Sequence, residues 1–594
     1  MLASRTRWMT IIGQDPSLRH SDGKILTARV AVPYEDLSAG PRGYRVHVID
    51  YDSSTNRLYK PLDPRRMAGG GPFEELSGAS TAFNQTLLKD PRFHAQNVYA
   101  IVMRTLAQFE RALGRRVGWS FGGHQLKVAP HAFAEANAYY SPEDEGVLFG
   151  YFGTHNGPVF TSLSHDIVAH ETTHALVDGL RPRYMEPSSP DQGAFHEGFA
   201  DVVALLSVFS LPEVLGYGVR HADRDTGSSV ANLARLTVAK LKEGVLLGLG
   251  EQFGEALSGV HGAALRRSVK LRPSPDLLNK PDYAEEHTRG EILVASMLGA
   301  FLAAYKERLD TLGRDTNNRL PRTRVAEEGA DIADRLLTLA IRALDYTPPT
   351  DLEFGDFLSA LITSDREIRP DDGRYRLRQK LLESFAAFGI QPSSSFGGEP
   401  GRWAPPLELR ASAKEARGKP KQLNYSFVHH TSLERDRDEV FRFLWDNRGV
   451  LGLCDQAQTK VGQVLPCLRV DQDGFTLRET VADYVQILTL RAGELENLEI
   501  PGRKERIQKP KGLAEWKTVR LLGGGALLFD EFGQLKYHVR NAILSPLRQT
   551  RRLQHLFDSG FFDGGAAAAR SFAAMHMKGM RPDLPPATME RDRW

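Results

Sequence analysis

The chain has 594 residues, 41% of them apolar and 25% charged. Those proportions describe a globular protein with several cores and exclude the disordered, fibrous and membrane-embedded classes. Lysine and arginine number 76 against 74 aspartates and glutamates, and a formal charge of +2 supplies no global field to draw in nucleic acid or a membrane surface.

Residues 1 to about 40 show no clear periodicity, and the opening MLASRTRWMTIIGQD lacks the apolar run and small-residue cleavage site of a secretory signal. From Tyr44, the segments YRVHVIDYD and RLYKP read as strands around a turn at 53–56. Gly69 to Gly71 with Pro72 mark a loop. After Pro91, Val98, Val102, Leu106, Phe109 and Leu113 recur at steps of three and four, which predicts a helix. QLKVAPHAF and NAYYSPEDEGVLFGYF predict further strands. Beyond residue 163 the pattern is helical, with helices expected around 164–181, 195–210, 230–248, 290–309, 325–345 and 375–388. The longest apolar stretch, Ile292 to Tyr305, is too short to span a bilayer.

Strands followed by helices imply an α+β fold with separated layers. The expected boundaries are a β-rich lobe over 1–163, a helical lobe over 164–392 and a linker over 393–424 rich in proline, glycine, serine and lysine. A second α+β module follows over 425–594, with a poorly ordered tail after Gly564. Within it, Gly523 to Gly525 mark a bulge or a close backbone approach. A chain cut near residue 392 is expected to fold by itself. Cys454 and Cys467 cannot build a disulfide framework; one bridge between them stays open, and free buried thiols are favoured. A cytoplasmic protein is expected, with non-classical export left open, no membrane or nucleic-acid partner, and no indication of oligomeric state.

The chemistry concentrates in SHDIVAHETTHALVD, residues 164–178. His170 and His174, four apart on one helix, share a face, so both imidazoles reach one metal ion. Zinc suits the pair, because it takes imidazole nitrogen and keeps an open position. Glu171, beside the first ligand, belongs near metal-bound water rather than on the metal. Taken alone, these three residues also fit a surface helix with solvated histidines. The next helix adds Glu197 and Asp201, one turn apart in apolar text. Buried carboxylates need a cation or donors. Glu197 is therefore read as the third ligand and Asp201 as an acceptor from His170. Asp178, one turn beyond His174, is read as orienting a residue of the same helix. His165 has no partner at metal spacing and reads as structural.

HETTHALVD followed by HEGFAD resembles the thermolysin-like neutral metalloendopeptidases, over about residues 40–390. The resemblance implies a two-lobed peptidase fold with an added C-terminal module. It makes His170, His174 and Glu197 the ligands, Glu171 the general base, and Asp178 and Asp201 supporting carboxylates. Asn137-Ala138-Tyr139-Tyr140 looks like the family's edge strand, which pairs with substrate backbone. His287 in EEHTRGEILVASM, with Asp282 five residues before it, looks like the oxyanion histidine and its carboxylate partner. Tyr184 falls near the second oxyanion donor, and Arg267, with Arg266 fitting nearly as well, near the substrate-binding arginine. His196 stands where the family has asparagine, and Ala200 where it has serine. Asp166 matches one calcium ligand, but Val208 stands at an acidic position, so the double calcium site is expected to be lost or altered. The implied activity is zinc-dependent endopeptidase cleavage of peptide or protein substrates, through Glu171-assisted attack of zinc-bound water. Two other readings stay open: a catalytically silent scaffold whose C-terminal module recognises a partner, and a zinc hydrolase of non-peptide substrates.

Overall fold

The chain begins with a hairpin that sequence periodicity does not reveal. β1 (Thr6–Ile12) pairs antiparallel with β2 (Thr27–Pro33). Met9 to Ile12 are all buried, and a strand covered on both faces does not alternate polar with apolar. The computed structural model describes residues 6–20, 23–64, 87–154, 157–223, 228–248, 267–406, 422–470 and 476–563, and its class is mixed α+β. The expected loop at Gly69 to Gly71, Arg266 and the tail after Gly564 lie outside the described residues.

The sheet beside the candidate site contains β3 (Val46–Val48), β4 (Leu126–Phe133), β5 (Ala138–Ser141) and β6 (Gly146–Thr154), in the order β3-β4-β6-β5. β7 (Gly157–Phe160) also pairs with β6. β3 and β4 are parallel, so their connection must cross over, and α1 (Pro91–Leu113) makes that crossing. The Asp90 carboxylate accepts from the Arg92 N–H, Pro91 opens the helix, and Gly114 closes it at a left-handed φ of 68°. β5 lies at the sheet edge among the described residues, where an extended peptide can add.

Helices then dominate: α2 (His165–Leu180), α3 (Pro190–Phe209), α4 (Pro212–Asp223), α5 (Val238–Gly248), α6 (Glu286–Asp315), α7 (Arg322–Ala343), α8 (Phe354–Ile368) and α9 (Leu377–Ala387). The helix expected over 230–248 is shorter, because Val230–Asn232 pairs as a strand with Arg319–Pro321. α8 was not anticipated, although Glu353 and Asp356 form a reciprocal capping box at its start. α3 and α6 cross with backbones nearly touching: a Cβ on Gly198 would lie 2.8 Å from the Gly290 carbonyl oxygen. No single helix among the described residues is long and apolar enough to cross a membrane.

At the C-terminal end, α10 (Arg437–Asp446) precedes a four-stranded antiparallel sheet of β8 (Gln458–Val470), β9 (Thr476–Arg491), β10 (Thr518–Phe529) and β11 (Leu535–Asn541), and α11 (Pro546–Asp558) follows. The glycine run is a close approach: a Cβ on Gly523 would lie 2.6 Å from the Ile543 nitrogen. One sheet face covers α10 through Val461, Ala482 and Phe529. The other face contributes Cys467, Val481, Ala526, Leu528, Tyr537 and Val539 to the main core. Both cysteines are free.

Charge ties the two parts together as well. Buried Asp345 pairs with Arg115 at 2.6 Å and with Arg469 at 2.5 Å, and Arg469 also pairs with Glu479. Burial alone would raise the Asp345 carboxyl; the two guanidinium groups outweigh it and hold the pKa at about 2. The expected linker is ordered in its first part, where Trp403 N–H donates to Thr363 Oγ1 at 2.9 Å and holds the segment on α8. Residues 407–421 lie outside the described residues.

Stability should fall in mild acid. His165 is fully buried; its Nδ1 faces the Gly13 carbonyl at 3.2 Å and its Nε2 the Ser207 hydroxyl at 3.1 Å, which suits the neutral ring. Burial lowers its pKa to about 3, and it holds His94 well below the usual range too. An unfolded chain takes the His165 proton near pH 6.5, whereas the folded one resists until about pH 3. The effect is absent above pH 6.5 and grows as pH falls, reaching about 2 kcal/mol for His165 at pH 5. The thermal midpoint should drop by a few degrees between pH 7.5 and 5. Protonation of the folded His165 ring near pH 6.5, followed by nuclear magnetic resonance, would show that it does not stay neutral.

Candidate metal centre

α2 is enclosed on every side, and all of its residues but Gly179 are buried. Its hydroxyls are satisfied internally: Thr172 and Thr173 donate to the carbonyls of Val168 and Ala169 at 2.6 and 2.7 Å. Asp166 sits in the first turn, accepting from Ser164 Oγ and its neighbour's N–H, and burial raises it to about 6. Val208, its expected acidic counterpart in a calcium site, is fully buried among the apolar core.

His170 and His174 lie one turn apart, with ring centroids 4.5 Å from each other at 87°. α3 is capped by Ser189, whose hydroxyl accepts from Gln192 N–H at 3.1 Å, with Pro190 in the first position. It packs along α2 and brings Glu197 to 3.5 Å from both His170 Nε2 and His174 Nε2. The ligand atoms of the three residues all lie within 4.8 Å of one another.

The remaining ring nitrogens determine what this cluster can hold. His170 Nδ1–H donates to Asp201 Oδ1 at 2.8 Å. His174 Nδ1 meets His196 Nδ1 at 2.8 Å, and the two rings stack with centroids 5.0 Å apart. With both Nδ1 atoms used outward, the Nε2 atoms face each other 2.8 Å apart. Two lone pairs at that distance repel unless a cation sits with them. Without one, a single proton must serve both rings: burial lowers His174 to about 3, while Asp201 outweighs burial and raises His170 well above its usual value. Burial would raise the Glu197 carboxyl, but His174 and His287 hold it well below the usual range. Two imidazoles and a carboxylate, each with an oriented lone pair, fit a divalent metal ion.

Glu171 is fully buried, and its Oε2 accepts the Tyr140 N–H of β5 at 3.1 Å. The candidate base is thus bonded to the edge strand. Asp178 does not meet a histidine of α2; its Oδ2 accepts from the Tyr140 hydroxyl at 3.1 Å and pins the same strand from a second point. Its charge also raises the neighbouring His196 ring, which burial keeps lowered on balance. Ala138 opens β5, and Oδ1 of the preceding Asn137 accepts from Ala138 N–H at 2.9 Å.

His287, in the first turn of α6, lies over the cluster with Nε2 3.8 Å from Glu197 Oε2. The close crossing at Gly198 and Gly290 brings it there. Its carboxylate partner is Glu285, at 2.8 Å from Nδ1, and not Asp282, which is exposed on the preceding turn. A helix N-terminus turns Glu285 back on the Thr288 N–H and beside the ring, a placement that sequence distance does not convey. Burial would lower His287, but Glu197 and the hydrogen-bonded Glu285 push it up to about 9.

Tyr184 does not reach the cluster. Its ring packs on Phe195 and its hydroxyl donates to the Pro348 carbonyl at 2.9 Å, with Thr347 Oγ1 at 2.8 Å, deep inside the helical part. The second oxyanion donor expected there is therefore withdrawn. Arg267 is half exposed and pairs with Glu291, one turn beyond His287, at 2.7 Å. His196 is the supporting residue that spacing did not assign; it is visible in the sequence only as a departure from asparagine. No family model matches this chain, and no curated protein is similar to it.

Removing the Asp201 carboxylate releases His170 Nδ1. An Asp201→Ala variant should bind metal about 10–100-fold more weakly, measured by competition against a chromophoric chelator. Unchanged affinity would show that His170 needs no anchor.

Proposed function

We propose that the protein is a zinc-dependent endopeptidase with a thermolysin-like, two-lobed catalytic part. The observation that carries this reading is the convergence of His170 Nε2, His174 Nε2 and Glu197 within 4.8 Å, with Glu171 bonded to the adjoining edge strand. A zinc ion held by those three side chains would polarise a carbonyl group and make water acidic enough to attack at neutral pH.

The chain's own groups account for the rest. A peptide adds to β5 as an extra strand, with Asn137 and Ala138 meeting its backbone, so binding makes little demand on substrate sequence. Glu171 takes the proton of the attacking water and passes it to the departing amine. Tyr140 N–H holds the other carboxylate oxygen in place during both transfers. His287, held through Nδ1 by Glu285, keeps its Nε2–H toward the cluster and donates to the oxygen that gains charge. A donor of that kind stabilises the transition state by about 2.7–4 kcal/mol. Retention of Glu171 beside a complete ligand set favours catalysis over a silent scaffold.

Hydrolysis of casein or an internally quenched peptide tests the proposal. Activity should disappear with a chelator and return with zinc. A metal-loaded protein that cleaves no peptide would refute it.

A further inference from the structure

A cavity of about 520 Å³ lies where the C-terminal sheet meets the segment between α2 and α3, a volume suited to a small organic ligand. Strand alternation builds its floor: Thr518, Arg520 and Leu522 point into it, while Val519 and Leu521 turn to the core. α11 adds Arg552 and Leu556, one turn apart, and Phe562 follows from the next turn. Arg183 lies on the opposite wall, neutralised by Glu186 at 2.9 Å.

The other two guanidinium groups are not neutralised in this way. Arg552 is 4% exposed, yet its Nε donates to the Ser188 hydroxyl at 3.1 Å and its Nη1 to the Arg520 carbonyl at 2.7 Å, both neutral acceptors. Ser188 in turn donates to Asp351 at 3.1 Å; Asp351 and Glu186 act on Arg552 through space, but neither carboxylate contacts it. Arg520 is exposed and lines the same cavity. A buried cation without a contacting counter-ion is costly, and an apolar cavity beside it is where an amphipathic anion would satisfy both surfaces.

We infer that this cavity binds a small carboxylate with an apolar chain, its head on Arg552 and Arg520 and its body against Leu522, Leu556 and Phe562. The site is separate from the metal cluster and does not depend on the activity proposed for it.

Calorimetric titration of the full-length protein with dodecanoate, below its micelle concentration, tests the inference. One saturable site is expected, with dodecanol and acetate each at least about tenfold weaker, since one lacks the charge and the other the chain. Arg520→Glu, at an exposed position, should weaken dodecanoate binding by at least about tenfold and leave the melting temperature unchanged. Absence of saturable binding, equal affinity for dodecanol, or undiminished binding in Arg520→Glu would each overturn it.

Discussion

A Glu171→Gln variant should retain its metal and lose peptide hydrolysis by roughly 10²–10⁴-fold. Glutamine matches the shape of glutamate, and its carbonyl oxygen can still accept the Tyr140 N–H that now reaches Oε2 at 3.1 Å. The link between α2 and the edge strand therefore survives the change. What the amide cannot do is take a proton from water. His170, His174 and Glu197 do not include this side chain, so metal content measured by plasma emission should equal that of the wild type. Wild-type turnover would eliminate Glu171 as the base. Loss of metal would instead make Glu171 a ligand and overturn the assignment of Glu197.

The second large effect concerns the C-terminal module. Removing everything beyond residue 392 is expected to yield an aggregating or unfolded chain, contrary to the independence that the linker composition suggests. Arg469 would be lost from Asp345, which is 1% exposed and sits between two arginines. Breaking such a buried pair costs about 3–5 kcal/mol. The main core would also lose Val481, Leu528, Tyr537 and Val539 and expose the surface they cover. These losses rival the 5–15 kcal/mol that keeps a domain folded. The C-terminal strands also reach the metal-bearing helix: Gln463 Nε2 donates to the Gly179 carbonyl at 3.2 Å, and Asp483 pairs with Arg181 at 3.5 Å. Circular dichroism and gel filtration of the shortened chain decide the matter. A monomer with a cooperative melt would show that the shared core is dispensable.

The residues that the fold brings together as expected and those that it places elsewhere differ in kind. His170, His174, Glu197 and Asp201 lie on two regular helices, where 3.6 residues per turn converts spacing into direction. A carboxylate pair inside apolar text also announces that something compensates it. Tyr184 and Asp282 lie on short turns, where the direction of a side chain depends on distant neighbours. Thr347 and Pro348, more than 160 positions away, claim the Tyr184 hydroxyl. Glu285 displaced Asp282 because it caps α6 and so lies beside His287. Asp178 keeps its expected place on α2 yet serves Tyr140, since the sheet passes that flank of the helix.

Local sequence by itself determined the two donor-bearing helices, the three side chains that can hold a metal and the acid beside them. These follow from helical period and from the cost of burying charge, both of which act within a few residues. Only the tertiary structure decided that His196 backs His174, that Tyr140 holds Glu171, and that the C-terminal sheet completes the main core. Each of those depends on how far two backbones approach, and that distance is set by packing across the whole fold, as where Gly198 meets Gly290.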